Sequence, residues 1–442
     1  MAGSVHDSAV YARLFDAGEA GRLFTDSAEV RSMIIVEGAL AKAQGALGMI
    51  PEVSAAFIQR ASLEILIDPG ALTAGVAKNG VPVPSLVAEF RKEMQAPEHA
   101  QYVHWGATSQ DIADTGQMLR LRQLLALCED GLKELLGALA KLASDHAALP
   151  MAGRTYGQFA TPVSFGSHVA AWGWPLLDLL KELPALRESS LWVSLSGAAG
   201  TGAEFAGKGA ELRAALAEGL GLRDPGRSWH ADRGPVLRIA AWLARMAQCL
   251  GKMGDDLILM AQSSASEVKL SASGGSSTMP QKQNPVQPSA LLALARQVMG
   301  LKAVMDGAGM PRQERDGAAW FTEWLVFPQL CLSAAAALTT ARAAVPGLTP
   351  KAEEMRAVFT EARGLLHAEA LSFRLAGQMP RPEAQAKVKE LAQQVLATGR
   401  PLGELAAEAL PDLDLSGLFT PEEQMGDAPA NARAFAAAVA AI

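Results

Sequence analysis

The chain has 442 residues, is 50% hydrophobic and 19% charged, and carries a net charge of −7. That length is ample for a large buried core, divided among two or three domains or gathered into one core with appendages. Mild acidity without a basic block argues against nucleic acid as a main partner. No stretch of about 18 uninterrupted apolar residues is present, so no membrane span is expected.

Aromatic residues make up only 5% while Ala and Leu abound, a composition suited to long packed helices. Cys128, Cys249 and Cys331 each sit in an apolar run with no CxxC pair. They read as core residues in a reducing compartment, with neither a disulfide framework nor a zinc site. The first residues, MAGSVHDSAVYARLF, hold no basic segment followed by a hydrophobic one, so a cytoplasmic protein without a secretory leader is expected.

Residues 1–108 read as short helices and loops, the clearest helix running from near Ser27 to a stop at Gly48 before Pro51. The Pro-rich NGVPVPSL at 79–86 interrupts the helical pattern. From Ser109 to about Leu149 the stripe Ile112, Leu119, Leu125, Leu132, Leu136, Leu139 and Leu142 keeps helical spacing. Further helices are predicted from Thr161–Pro162 to about Ser189, from Asp232 to Leu270, from Asn284 to about Gly307, and from Gly317 to Ala344 with a kink at Pro328. LWVSLSG at 191–197 is the one tempting strand. Five long stripes predict an all-α protein built on a central elongated bundle. The division is an N-terminal helical domain over 1–108, a central helical-bundle domain over 109–346, and a small C-terminal helical domain over 347–442. Helices far longer than the usual dozen residues suggest oligomerisation through the bundle.

Three polar stretches lead into these helices. In HWGATSQD, His104 precedes Thr108 and Ser109, whose hydroxyls stand where orphan backbone N–H groups attract an anion, and Asp111 and Asp114 suit the helix dipole. In GRTYGQFATP, Arg154 offers a fork for a carboxylate, and Thr155, Tyr156 and Gln158 offer neutral hydrogen bonds. In SASGGSSTMPQKQNPVQP, small residues are followed by the hydroxyls Ser276 and Ser277, then Met279, Lys282 and Asn284, with Asn284–Pro285 opening a helix. Glu267 precedes that loop and could orient a neighbour. Arg315, within ERDGAAWFTEW, could reach a substrate or form a surface ion pair. His168 and His230 are weaker candidates.

GSSTMPQKQNP at 275–285 resembles the signature loop of the fumarase/aspartase superfamily, and TSQD at 108–111 and GRTYGQFATP at 153–162 resemble its other two shared regions in the same order. The likeness spans nearly the whole chain. Within the superfamily, HWGATSQDIADT, SGGSSTMPQKQNPV, ERDGAAWFTEW and HAEALSF (367–373) look like the bacterial 3-carboxy-cis,cis-muconate cycloisomerase subgroup. Adenylosuccinate lyase is the runner-up, but its relatives carry histidine where this chain has Tyr156 and a His-containing segment where it has VPVPSLV. The resemblance implies chemistry β to a carboxylate without a metal or organic cofactor. It implies Ser276 as the proton-transfer group assisted by Lys282, with His104 the positional candidate for a second one. It implies a small tricarboxylate substrate held by Thr108, Ser109, Arg154, Lys282, Asn284 and Arg315. It also implies a homotetramer whose active sites are shared between subunits, with 271–288 as a lid.

Overall fold

The computed structural model describes residues 3–270, 274–275, 279 and 282–442. In chain order the helices are α1 (Asp26–Ala46), α2 (Glu52–Glu64), α3 (Thr73–Asn79), α4 (Val83–Glu93), α5 (Pro97–Ala100) and α6 (Ser109–Asp145). A hairpin of β1 (Pro150–Thr155) and β2 (Gln158–Ser164) precedes α7 (Phe165–Ser190), α8 (Gly209–Leu220) and α9 (Gly234–Met260). Short strands β3 (Val268–Lys269), β4 (Gly274–Gly275) and β5 (Gln283–Asn284) lead to α10 (Val286–Gly307) and α11 (Gly317–Ala344). After β6 (Thr349–Pro350) come α12 (Ala352–Glu361), α13 (Ala368–Ala376), α14 (Arg381–Thr398), α15 (Leu402–Ala409) and α16 (Ala428–Ala440). Among the described residues the protein is all-α, and its few strands form two-stranded ladders.

Two compact units emerge. The first comprises 1–131, 179–251 and 293–340, and the second 132–178, 252–292 and 341–442, so each of α6, α7, α9, α10 and α11 contributes to both. In the first unit, Thr25 Oγ1 caps α1 by accepting from Ala28 N at 3.2 Å. Helices α1 and α2 approach closely: a Cβ on Gly45 would stand 2.4 Å from that of Ala55, which excludes any larger residue there. The second unit carries a small core of its own in the C-terminal segment, where Leu371, Leu375, Leu391, Val395, Leu402 and Leu405 pack together.

Burial follows helical spacing. Ile112, Leu119, Leu125, Leu132, Leu136 and Leu139 of α6 are buried, whereas Leu142 is half-buried. Helix α9 buries Ile239, Leu243, Met246, Leu250, Met253 and Leu257 along one face. Cys128 and Cys331 are buried free thiols and Cys249 is half-buried, with burial pushing the Cys128 thiol up to about 12. Pro328 lies inside α11, where it cannot supply the backbone N–H of an i→i−4 bond. The most apolar part of that helix, 61% buried, is long and hydrophobic enough to cross a membrane by composition alone.

Several sequence expectations need correction. Thr161–Pro162 does not open a helix; it lies in β2, with Ala152 facing Pro162, and α7 begins at Phe165 after Ser164 Oγ accepts from Ser167 N at 2.9 Å. The hairpin forms because Tyr156 and Gly157 both adopt positive φ, 50° and 74°, the two-residue turn that matches strand twist. VPVPSLV does not merely interrupt a helix, since its prolines occupy the start of α4. Helix α9 stops at Met260, ten residues before Leu270. LWVSLSG forms only an isolated bridge, Trp192 to Arg223.

Candidate functional site

The candidate residues fall into two clusters, one in each unit. In the first unit the start of α6 is organised by Asp111, which is fully buried. Its carboxylate accepts from Thr108 N at 3.1 Å, Ser196 N at 2.9 Å, Gly197 N at 2.9 Å, Ser194 Oγ at 3.3 Å and His230 Nε2 at 2.8 Å. A buried carboxylate is tolerated when its lone pairs are met in this way. Asp111 therefore ties the helix start, the 194–197 segment and His230 together. Thr108 and Ser109 remain half-buried at that helix N-terminus.

Asp114, one turn further, pairs with Arg233 at 2.7 and 3.1 Å, and Arg233 pairs with Glu323 at 2.6 and 2.8 Å. All three are buried, and the two carboxylates hold the guanidinium firmly charged against the cost of its burial. Burial pushes the Glu323 carboxyl up, with Arg233 opposing. Gln110 extends this network: its Nε2 donates to Asp114 Oδ2 at 3.1 Å and to the His230 carbonyl at 3.0 Å, and its Oε1 accepts from Arg315 Nε at 2.9 Å. Arg315 Nη2 also donates to the Ala198 carbonyl at 3.0 Å. Arg315 is thus aimed by neutral acceptors and keeps its charge unpaired by any described carboxylate, the state in which a guanidinium best receives an anion. The surface ion pair belongs to Arg312, which binds Asp316 at 2.8 Å.

His104 stands before this helix start with a left-handed φ of 65°. Its Nδ1 lies 2.7 Å from Glu37 Oε1 on α1. Burial opposes charge on the ring, but the Glu37 carboxylate outweighs it, so the imidazole pKa is raised above its ordinary value.

In the second unit, Arg154 Nη2 donates to the fully buried Glu267 Oε1 at 2.7 Å, and its guanidinium lies 5.0 Å from the Phe159 ring centre. Thr155, Tyr156 and Gln158 at the hairpin tip are exposed, Tyr156 completely so. Met279, Lys282 and Asn284 line a cavity of about 660 Å³ together with Gln262, Ser266 and Lys351. Lys351 Nζ donates to Ser266 Oγ at 2.7 Å, and Lys351 N donates to the Glu267 carbonyl at 2.8 Å. The ladder of β4 and β5 pairs Gly274 with Asn284 and Gly275 with Gln283. Asn284 thus ends a strand, and Pro285 takes the position before α10. Ser276 and Ser277 lie outside the described residues. His168 Nε2 lies 3.5 Å from Asp256, which also accepts from Trp172 Nε1 at 2.7 Å.

The structure therefore groups His104, Thr108, Ser109 and Arg315 around one helix start, and Met279, Lys282 and Asn284 around one cavity. Arg154 belongs with Glu267, and His230 is a structural partner of Asp111. Sequence reasoning missed Glu37, Gln110, the Asp114–Arg233–Glu323 triad and Lys351. A lone carboxylate inside the apolar run MIIVEGAL was the available signal for Glu37; Lys351 had none. Among the described residues, no group of three His, Cys, Asp or Glu is placed to hold a metal ion.

A family profile described as Lyase matches residues 18–300. The chain is 37% identical over 427 residues to a 3-carboxy-cis,cis-muconate cycloisomerase of Pseudomonas aeruginosa, covering 94% of this chain and 93% of the relative. It is 33% identical to a nitrosuccinate lyase of Streptomyces davaonensis, covering 92% and 89%. The crystal structure of the 3-carboxy-cis,cis-muconate lactonizing enzyme from Pseudomonas putida superposes with a TM-score of 0.91 at 32% identity, covering 98% of this chain and 99% of that one.

Proposed function

This chain belongs to the fumarase/aspartase superfamily of lyases, and from that premise we propose that it is a cycloisomerase closing 3-carboxy-cis,cis-muconate to 4-carboxymuconolactone. The observation that carries the reading is near-full-length likeness, at 32–37% identity, to proteins of that name from four organisms. In this reaction a substrate carboxylate oxygen adds across the conjugated double bond. The π electron pair moves to the carbon next to another carboxylate, giving an aci-carboxylate that is quenched by one proton. The protein must fold a tricarboxylate into reacting geometry, stabilise the charge that develops, and deliver that proton.

The residues divide among those tasks. Thr108, Ser109 and the α6 N-terminus form one carboxylate cradle, with Arg315 aimed by Gln110 and Ala198. Lys282 and Asn284 supply a second cationic and amide wall in the cavity they share with Lys351. Arg154, anchored by Glu267, contributes a third fork. Ser276 delivers the proton, helped by Lys282, and Ser277, Met279, Thr155, Tyr156 and Gln158 complete the substrate envelope. His104 adds an ionisable group beside the first cradle. The assembly is a cytoplasmic homotetramer in which neighbouring subunits complete each site, and the complete exposure of Tyr156 fits a hairpin tip that reaches a partner subunit. The segments 1–108, 109–346 and 347–442 are its N-terminal, central and C-terminal domains.

One observation favours a second reading, an elimination releasing a fumarate-type product: the 33% identity to a nitrosuccinate lyase. Purified protein incubated with 3-carboxy-cis,cis-muconate should bleach the diene absorbance. No bleaching, with fumarate released from adenylosuccinate or nitrosuccinate, would establish the lyase instead.

A further inference from the structure

We propose that Glu37 is a positioning residue of the first anion cradle: its carboxylate orients His104 so that Nε2–H serves as a charge-assisted donor to a substrate carboxylate. The inference rests on the cycloisomerase reading for the identity of that substrate. Glu37 lies in the middle of α1, 1% exposed, between apolar neighbours. Its Oε1 is 2.7 Å from His104 Nδ1, and its Oε2 has no partner among the described residues. An apolar residue would be cheaper to bury at this position, and a carboxylate with a single partner is an expensive one. Its observable effect is on that partner.

His104 sits in the left-handed region, a conformation that persists where surrounding contacts over-determine it. With Nδ1–H donated to Glu37, Nε2 is the nitrogen left for other work, and it makes no hydrogen bond among the described residues. Among the described residues three charged groups act on the ring: Glu37 from α1 and Asp111 from α6 favour the imidazolium, and Arg91 from α4 opposes it. The Asp111 carboxylate is already shared among its own donors, which leaves Glu37 as the main counter-charge. When protonated, the ring stands five residues ahead of Ser109, the first residue of a 37-residue helix and its positive end. Two positive features side by side are unfavourable alone and become favourable when a carboxylate lies between them.

Steady-state kinetics across pH and a histidine-labelled NMR titration of the full-length protein test this, using Glu37→Gln, Glu37→Asp and His104→Gln. Loss of one titrating signal in His104→Gln assigns the ring. In the wild type, KM for 3-carboxy-cis,cis-muconate should be lowest below the His104 pKa and rise as pH passes through it. In Glu37→Gln the His104 titration should move to lower pH, and KM near neutrality should rise about tenfold, the loss of one charge-assisted hydrogen bond, with kcat changed much less. Glu37→Asp should recover part of that loss, and His104→Gln should remove the pH dependence of KM. An unmoved His104 titration in Glu37→Gln, or a fall in kcat with KM unchanged, would overturn the proposal. A wild type that fails to turn over the muconate would instead refute the assigned reaction, and the titration, which needs no substrate, would still decide whether Glu37 governs His104.

Discussion

The HWGATSQD stretch and the GRTYGQFATP stretch look alike on paper, both short, polar and ahead of a helix, yet the fold treats them oppositely. In the first the polar groups turn inward: Asp111 and Gln110 are buried and hydrogen-bonded, as is Asp114 just beyond, and the rim of Thr108, Ser109 and His104 stays partly open. In the second they turn outward: Thr155, Tyr156 and Gln158 are exposed, with Arg154 alone tied back to a buried carboxylate. A network satisfied within one chain fixes its functional rim in advance. A strained, exposed turn makes sense where a second surface will meet it. The comparison thus separates a rim held by the chain's own hydrogen bonds from an exposed tip, where the proposed partner subunit would meet it.

The largest effect belongs to neither stretch but to the loop they would serve. Ser276→Ala and Lys282→Met should each lower turnover about 10²-fold or more with an unchanged melting temperature. Near-full activity in Ser276→Ala would move proton delivery elsewhere, with His104 next to test. On the self-contained side, Arg233→Met removes the cation between Asp114 and Glu323 and should cost about 3–5 kcal/mol in a denaturant titration. A loss below about 1 kcal/mol would show that the first cradle is not rigidly built. Arg315→Lys keeps the charge but cannot reproduce the fork held by Gln110 and Ala198, so KM should rise about tenfold with the fold intact. An unchanged KM would remove Arg315 from the substrate's reach. The smallest effect sharpens the contrast: Tyr156→Asn suits the left-handed turn better and should stabilise the protein by about 0.5–1 kcal/mol while reducing activity. Stabilisation without loss of activity would make the hairpin tip a bystander.

How much was legible tracks the range of the interactions. The stripe from Ile112 to Leu139 is buried at the spacing the sequence displays, because helix periodicity is a local property. The hairpin was illegible because Tyr156–Gly157 is not the usual Asn-Gly or Asp-Gly turn, and Pro162 reads as the first residue of a helix. Asp111 and Asp114 read as helix-dipole partners when their work is tertiary: Asp114 meets Arg233 119 positions away, and His104 meets Glu37 67 positions away. No spacing rule encodes such pairings. The motifs point to the proposed cradle, and the fold shows which distant side chains pack around it.

In the proposed reaction this protein delivers a proton to carbon while a carboxylate closes a ring. Proton NMR of the product formed from 3-carboxy-cis,cis-muconate in D₂O reports on both events at once. Cycloisomerisation gives 4-carboxymuconolactone carrying a single deuteron on the carbon that accepted the proton, and no fumarate. Unchanged substrate, or a lactone without that deuteron, would contradict it.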